Sequence, residues 1–376
     1  MRRPLVAVAV LAAVLGFLSG PARAAAPVPD ARAYEVVNAS TGEVLAARNA
    51  HERLPIASLT KLMTVIVALR HLDVDATVTV PKDAVRVGGS RIPLRPGQRI
   101  TVEDLLKGAL IQSANDAADT LAAGASGGDI PLFVSWMNDT AQRLGLADTH
   151  FVRPDGLDAP GHVSSAHDVM VLAQIAMHSP VVRELVRKRS DTIESGHVAV
   201  HTWNDLLGVF PGLVGVKTGH TDKAGWCEVA AARRQGYTIY AVILGSPSRG
   251  QRNADLRRLL AWGVSQYRTL RLVDRTAYAH ARLGYGLPAV ALVATRPLTQ
   301  VVRTGRAVVE RIVAPSAIRL PVARGQLLGT IEVRVGGHVV GVRPLVAARS
   351  VRRPGLGGRL RWYATRTVHD FLGLFS

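Results

Sequence analysis

Three short groups of residues in this chain have the types and order that covalent catalysis by a serine requires. They are Ser58-Leu-Thr-Lys61, then Ser113-Ala-Asn115, then Lys217-Thr218-Gly219. A serine hydroxyl is a weak nucleophile at neutral pH and needs a base within hydrogen-bond reach. Ser58 and Lys61 are three apart, so on a helix they share one face. Lys61 can take the serine proton only when neutral, and burial or a second cation such as Lys217 lowers its pKa toward that state. A helix N-terminus at Ser58 favours the negative charge that develops there. Ser113 and Asn115 flank one residue just past a helix end, where a hydroxyl can relay a proton to a leaving amine and an amide can hold a substrate peptide. Lys217 and Thr218 on a strand edge suit a terminal carboxylate, and Gly219 lets a ligand backbone come close. The N–H of His220 pairs with that of Ser58 as a candidate oxyanion hole; the His220 side chain is not read as a base. Singly, each group has a plain alternative: Ser58 as an N-cap, Lys61 on the surface, Ser113-Ala-Asn115 as loop and cap. All three in this order form a specific pattern.

These residues must be positioned by a mixed fold. Ala33–Asn38 and Glu43–Arg48 read as strands around a Thr41-Gly42 turn. Ser58 to Leu72 reads as a helix with apolar residues at Leu59, Leu62, Met63, Ile66 and Leu69. A second helix runs from Val102 to Leu110 with Thr101 as N-cap. Further helices are expected over Asp116–Ala123, Pro131–Leu144 and Ala166–Met177, the last capped by Ser164 or Ser165. Gly212–Thr218, Trp226–Ala232 and Tyr237–Leu244 read as strands, and Asn253–Leu270 as a long amphipathic helix. Strands at both ends of the segment with helices between predict one antiparallel sheet with a helical insert, an α/β (α+β) domain. From Thr276 short alternating runs predict a small all-β domain, with Gly336-Gly337 turning a hairpin. After Pro354–Gly358, residues Leu360, Tyr363, Thr367, Phe371, Leu374 and Phe375 fall on one face of an amphipathic helix flanked by arginines.

Composition sets the compartment. Arg2 and Arg3, the apolar run Leu5–Leu18 and Ala22-Arg-Ala24 have the form of a secretory leader, residues 1–24. The expected modules are then 25–275, 276–350 and a linker with tail, 351–376. The single cysteine, Cys227, excludes an intramolecular disulfide and reads as a buried small hydrophobe. Charge is uneven: 28 Lys and Arg stand against 25 acids over 25–275, but 15 Arg against 3 acids over 276–376. A basic end on an exported chain is drawn to an anionic membrane surface or wall polymer, and export argues against nucleic acid. The histidines form no ligand-spaced cluster, so no metal or other cofactor is expected.

Beyond the three groups, Arg53-Leu-Pro-Ile-Ala-Ser-Leu-Thr-Lys-Leu-Met-Thr64, Phe151-Val-Arg-Pro-Asp-Gly-Leu157, His162-Val-Ser-Ser-Ala-His-Asp168 and Lys217-Thr-Gly-His-Thr-Asp-Lys-Ala-Gly225 resemble the D-alanyl-D-alanine carboxypeptidases, the low-molecular-mass penicillin-binding proteins. The resemblance covers Tyr34 to Ser350. It implies a serine β-lactamase/penicillin-binding-protein-like domain, an acyl-enzyme on Ser58, Lys61 as base, and Ser113 passing the proton to the leaving D-alanine. It also implies carboxylate binding by Lys217 and Thr218, backbone binding by Asn115, and acylation by β-lactams. The β module and tail resemble the form held on the outer face of the cytoplasmic membrane.

One departure is Thr202-Trp203-Asn204, where the family often carries Asn-x-Asn, sometimes with Arg as the middle residue; Trp203 supplies no cation. Alternatives on the same scaffold are a β-lactamase, which needs a base for the deacylating water and finds no glutamate in Phe151–Asp168, and a DD-endopeptidase. A non-catalytic wall-binding scaffold is the alternative of another class.

Overall fold

The computed structural model describes residues 25–372, together with the backbone of Val8–Leu15. The expected leader lies for the most part outside these residues; Val8–Leu15 is a strand paired antiparallel with Val308–Pro315. The chain divides into two compact units, one of Ala24–Ser265 and one of Gln266–Ser376 with residues 1–23.

The first unit is built on a five-stranded antiparallel sheet. Its strands are β1 (Ala33–Asn38), β2 (Glu43–Arg48), β3 (Leu213–Thr221), β4 (Gly225–Arg234) and β5 (Tyr237–Ser246), in the spatial order β2-β1-β5-β4-β3. Both ends of the segment supply strands, as their alternating patterns require. Residues on β1, β4 and β5 are buried on both faces. The helix α7 (Arg249–Ser265) covers one face, where a Cβ at Gly263 would lie 2.8 Å from Ile239 and 3.3 Å from Val36. That close approach is why a glycine stands in the last turn of this helix.

Facing the other side are α1 (Lys61–His71), α2 (Val102–Lys107), α3 (Asn115–Ser126), α4 (Ile130–Arg143) and α5 (Ala166–Ala176). Their fully buried Leu62, Met63, Leu105, Leu121, Phe133 and Val169 join Val37, Val229 and Val242 of the sheet in one core. Burial of each large apolar side chain contributes about 1.5–3 kcal/mol. Helix starts follow the expected caps: Thr101 accepts from the N–H of Asp104, and Ser165 from that of Asp168.

Several boundaries differ from expectation, two of them by more than a turn or in helix type. The helix expected over Asn253–Leu270 ends at Ser265, and Tyr267–Val273 is a strand paired with Leu298–Arg303. Pairing with a distant strand overrides local periodicity, and Tyr267, Leu272 and Val273 are buried by it. The second helix, expected to Leu110, runs as α-helix only to Lys107 and then widens into a π-helical turn over Gly108–Gln112.

In the second unit, Val308–Pro315, Leu327–Val335, His338–Ala347, Val290–Ala294 and Ala277–Leu283 form one antiparallel run. Leu292, Ile312, Ile331, Val333 and Leu345 fill its core. Gly336 and Gly337, both at positive φ, turn the expected hairpin. The final helix, α8, is Leu356–Leu372. Leu374 and Phe375 of the expected apolar face lie outside the described residues. Leu356, Leu360 and Tyr363 are exposed, while Trp362 meets Tyr285 edge-on at 5.6 Å. Among the described residues no helix is long and apolar enough to cross a membrane.

Candidate active site

The three groups meet in a cleft of about 310 Å³ in the first unit, lined by Ser58, Ser113, Asn115, Thr218, Gly219 and His220 among others. Ser58 stands in a tight 3-10 turn, Ala57–Thr60, that leads into α1. Ala57 has φ +49°, a strained conformation for a residue with a Cβ. The turn is held from below. Thr60 Oγ1 donates to Ala57 O (2.8 Å) and lies 2.9 Å from His162 Nε2, while His162 Nδ1 accepts from the N–H of Val152 (3.0 Å). Burial depresses the His162 pKa to about 4, so the ring is neutral, with its proton on Nε2.

Lys61, fully buried, donates from Nζ to Ser58 Oγ (2.8 Å), Asn115 Oδ1 (2.6 Å) and Asp155 O (2.6 Å). Burial lowers its pKa to about 8, with the carboxylates of Asp155, Asp119 and Asp116 opposing and the Arg153 cation assisting. Asp155 itself is fully buried and clasped by Arg153 Nε (2.5 Å), Arg153 Nη2 (2.6 Å) and the N–H of Leu157 (2.9 Å).

Ser113 caps the π-helical turn at φ +63°, and the N–H groups of Ser113 and Ala114 both close on Gly108 O. Such turns store strain and recur at functional sites. Asn115 is the first residue of α3 rather than part of a free loop, and its Nδ2 donates to Gly88 O (2.7 Å).

Lys217, Thr218 and Gly219 lie inside β3, which continues to Thr221, so the strand does not end at them. It is the edge strand of the sheet, which leaves that edge free to face the Ser58 turn. The approach is close: a Cβ at Gly219 would sit 3.0 Å from Ser58 N and 3.1 Å from Ile56 O. Lys217 Nζ donates to Ser113 Oγ (2.7 Å) and Thr218 O (2.8 Å). Burial holds its pKa well below the usual lysine range, and the Lys61 charge pushes it the same way. The site thus holds two lysine–serine pairs, Lys61 with Ser58 and Lys217 with Ser113. His220 is exposed, its ring tilted over Trp226 at 4.1 Å.

Two residues of the site went unread in the sequence. Arg252 on α7 lines the cleft while only 1% exposed, with Nε 3.0 Å from Glu228 Oε2 and its guanidinium 5.6 Å from the Trp226 ring centre. It brings a cation to the cleft where Trp203 brings none. Trp203 instead forms part of the wall, donating from Nε1 to Gln112 O (2.9 Å). Asp119, one turn beyond Asn115, has a buried Oδ1 with no hydrogen-bond partner, and its pKa is raised to about 7 by burial and by the charge of Asp155. No spacing ties either residue to the three groups; an unexplained acid at i+4 from Asn115 was the only available signal. Cys227 is buried, with its pKa pushed up to about 11 by burial, and takes no part. Among the described residues no group of three or more histidine, cysteine or acidic side chains is placed to hold a metal.

A model of the D-alanyl-D-alanine carboxypeptidase family matches residues 21–248, and a model of the penicillin-binding protein 5 C-terminal domain matches residues 268–353. The chain is 32% identical over 340 residues to D-alanyl-D-alanine carboxypeptidase DacF of Bacillus subtilis, covering 87% of each chain. It is similar to the crystal structure of penicillin-binding protein 6B from Escherichia coli, with a TM-score of 0.64 and 30% identity over 87% of this chain and 98% of that one. Penicillin-binding protein D2 from Listeria monocytogenes, in an ampicillin-bound form, is similar with a TM-score of 0.57 and 32% identity over 63% of this chain and 98% of that one.

Proposed function

The chain belongs to the D-alanyl-D-alanine carboxypeptidase family of serine-type, penicillin-binding peptidases, and from that premise we propose that it releases the terminal D-alanine of peptidoglycan pentapeptides through an acyl-enzyme on Ser58. The observation that carries this reading is the 2.8 Å contact between a buried, pKa-depressed Lys61 and Ser58 Oγ. Ser58 Oγ attacks the carbonyl of the penultimate D-alanine and its proton passes to Lys61. The oxyanion is held by the N–H groups of Ser58 and His220. Collapse breaks the C–N bond, and the leaving amine takes its proton through Ser113, which Lys217 orients. Water then attacks the ester, giving its proton to Lys61, and Ser58 is restored. Thr218 and Lys217 hold the terminal carboxylate, and Asn115 the peptide backbone. β-Lactams acylate the same serine.

A β-lactamase needs a carboxylate free to activate the deacylating water. The carboxylates of Phe151–Asp168 are all engaged, Asp155 by Arg153 and the N–H of Leu157, Asp158 by Thr221 Oγ1 and Asp168 by Thr149 Oγ1, which weighs against that reading. The test is release of D-alanine from a muropeptide ending in D-Ala-D-Ala, with Ser58→Ala as control. Release lost in the control supports the carboxypeptidase. Penicillin labelling without release points to cross-linked peptides and an endopeptidase.

The proposal extends to place. A leader over 1–24 exports the chain, the catalytic module precedes a β module, and α8 lies on the anionic outer face of the membrane. Exposed Leu356, Leu360 and Tyr363 beside Arg361 and Arg366 support an in-plane helix. Deleting 354–376 is expected to release the protein from anionic liposomes; unchanged binding sinks the idea.

A further inference from the structure

A cavity of about 590 Å³ in the first unit shares none of its lining with the catalytic cleft. It lies between the segment Pro180–Arg187, the turn joining β4 to β5, and Val214 near the start of β3. Four arginines, Arg183, Arg187, Arg233 and Arg234, contribute to its lining. Two are anchored. Arg183 Nη1 donates to Met177 O (2.9 Å) and His178 O (2.8 Å), and Arg234 Nη1 donates to Pro211 O (2.6 Å) while stacking 5.8 Å from the Phe210 ring centre. Each leaves its other nitrogens without an acceptor among the described residues. The side chains of Arg187 and Arg233 are exposed and make no hydrogen bond or ion pair with a described residue. The one acid in the lining, Glu184, is paired with Lys188 at 3.2 Å, and Lys188 also pairs with Asp191 at 2.9 Å. Ser40 and Thr238 add hydroxyl donors.

This arrangement is unusual for its setting. Residues 25–275 are almost balanced in charge, with 28 Lys and Arg against 25 acids. Yet four arginines converge on one concavity with no free carboxylate to neutralise them. Like charges so placed repel one another, which costs stability unless an anion sits among them. Guanidinium forks match the tetrahedral oxygens of phosphate better than a single carboxylate, because several forks can each donate to a different oxygen. The open mouth and the two unanchored side chains suit a group carried on a chain or a surface rather than an enclosed metabolite.

We propose that this cavity is a second binding site, specific for phosphodiester groups, that holds the enzyme to a phosphate-bearing polymer or lipid surface while the cleft acts on its peptide. The experiment uses the chain from Ala25 to Ser376 and the double variant Arg187→Glu/Arg233→Glu. A control of equal charge change, Arg99→Glu/Arg257→Glu, alters exposed residues away from the cavity. The milder Arg187→Gln/Arg233→Gln repeats the test should charge reversal impair folding. Anisotropy is read with labelled poly(glycerol phosphate), and sedimentation with phosphatidylglycerol vesicles. Relative to the control, the cavity variants are expected to bind at least one of the two probes about tenfold more weakly, with acylation by penicillin unchanged. Loss with the polymer identifies a wall-type polymer as the source of the phosphodiester, and loss with vesicles alone identifies the lipid headgroup. Equal affinity of cavity variants and control for both probes overturns the proposal. So does polyglutamate binding the unaltered chain as tightly as the phosphate polymer, since the cavity would then be a general anion patch.

Discussion

If Lys61 is the base, the rate of acylation must follow its neutral fraction. Its pKa of about 8, against the ordinary 10.5, makes about a tenth of the enzyme competent at pH 7 and about nine-tenths at pH 9. An unperturbed lysine would be neutral in only about three molecules in ten thousand at pH 7, so burial supplies about 300-fold in available base. The displacement corresponds to about 3 kcal/mol of disfavoured charge. Stability moves with pH in the same direction as activity. Between pH 8 and 10.5 the unfolded chain binds more protons at this lysine than the folded one. The residue therefore destabilises the fold below pH 8, and that cost is relieved as pH rises. The assay is the second-order acylation constant with a fluorescent penicillin, by stopped flow from pH 6 to 10 at constant ionic strength. A rise of about tenfold between pH 7 and 9, with a midpoint near 8, is expected. A constant that is flat or falls between pH 7 and 9 refutes a neutral Lys61 as the base.

Asp119→Asn removes a carboxylate that favours the protonated Lys61, so the rising limb should move to lower pH by a few tenths to about one unit; movement to higher pH contradicts the electrostatics. Gly219→Ala places a methyl 3.0 Å from Ser58 N and should slow acylation by about 10- to 100-fold with the fold retained. An effect within twofold would mean the Ser58 turn yields freely. Arg252→Ala leaves the fully buried Glu228 without its cation and should cost about 3–5 kcal/mol at pH 8. Because burial raises the Glu228 pKa to about 7, the carboxyl is protonated at pH 5 and the loss there should be smaller; equal losses in thermal melts at both pH values would dismiss the pair as the cause.

Much of this protein was legible before any coordinate. The two N-terminal strands match their alternating patterns residue for residue, because short strands joined by a glycine turn are fixed locally. Helix caps at Thr101 and Ser165 were readable for the same reason: a side-chain oxygen meets an N–H only three residues away. The candidate site groups were legible as motifs, since Ser58, Lys61, Ser113, Asn115 and the Lys217 tripeptide, which share one cleft, stand out by residue type and order. By contrast, the end of α7 at Ser265 was not, because Tyr267–Val273 keeps a helix-compatible pattern and becomes a strand only by pairing with Leu298–Arg303.

What the sequence alone determined, then, is the cast of reacting groups and the local elements that carry them. The tertiary structure decided the rest. It buried Lys61 and Lys217 and so lowered their affinity for protons, an effect of desolvation that no spacing encodes. It set Gly219 against the Ser58 turn. It brought Arg252 and Asp119 into the site, and gathered Arg183 and Arg187 with Arg233 and Arg234 around one cavity. Each of these depends on residues distant in the chain sharing one space, and on how much water the fold leaves between them.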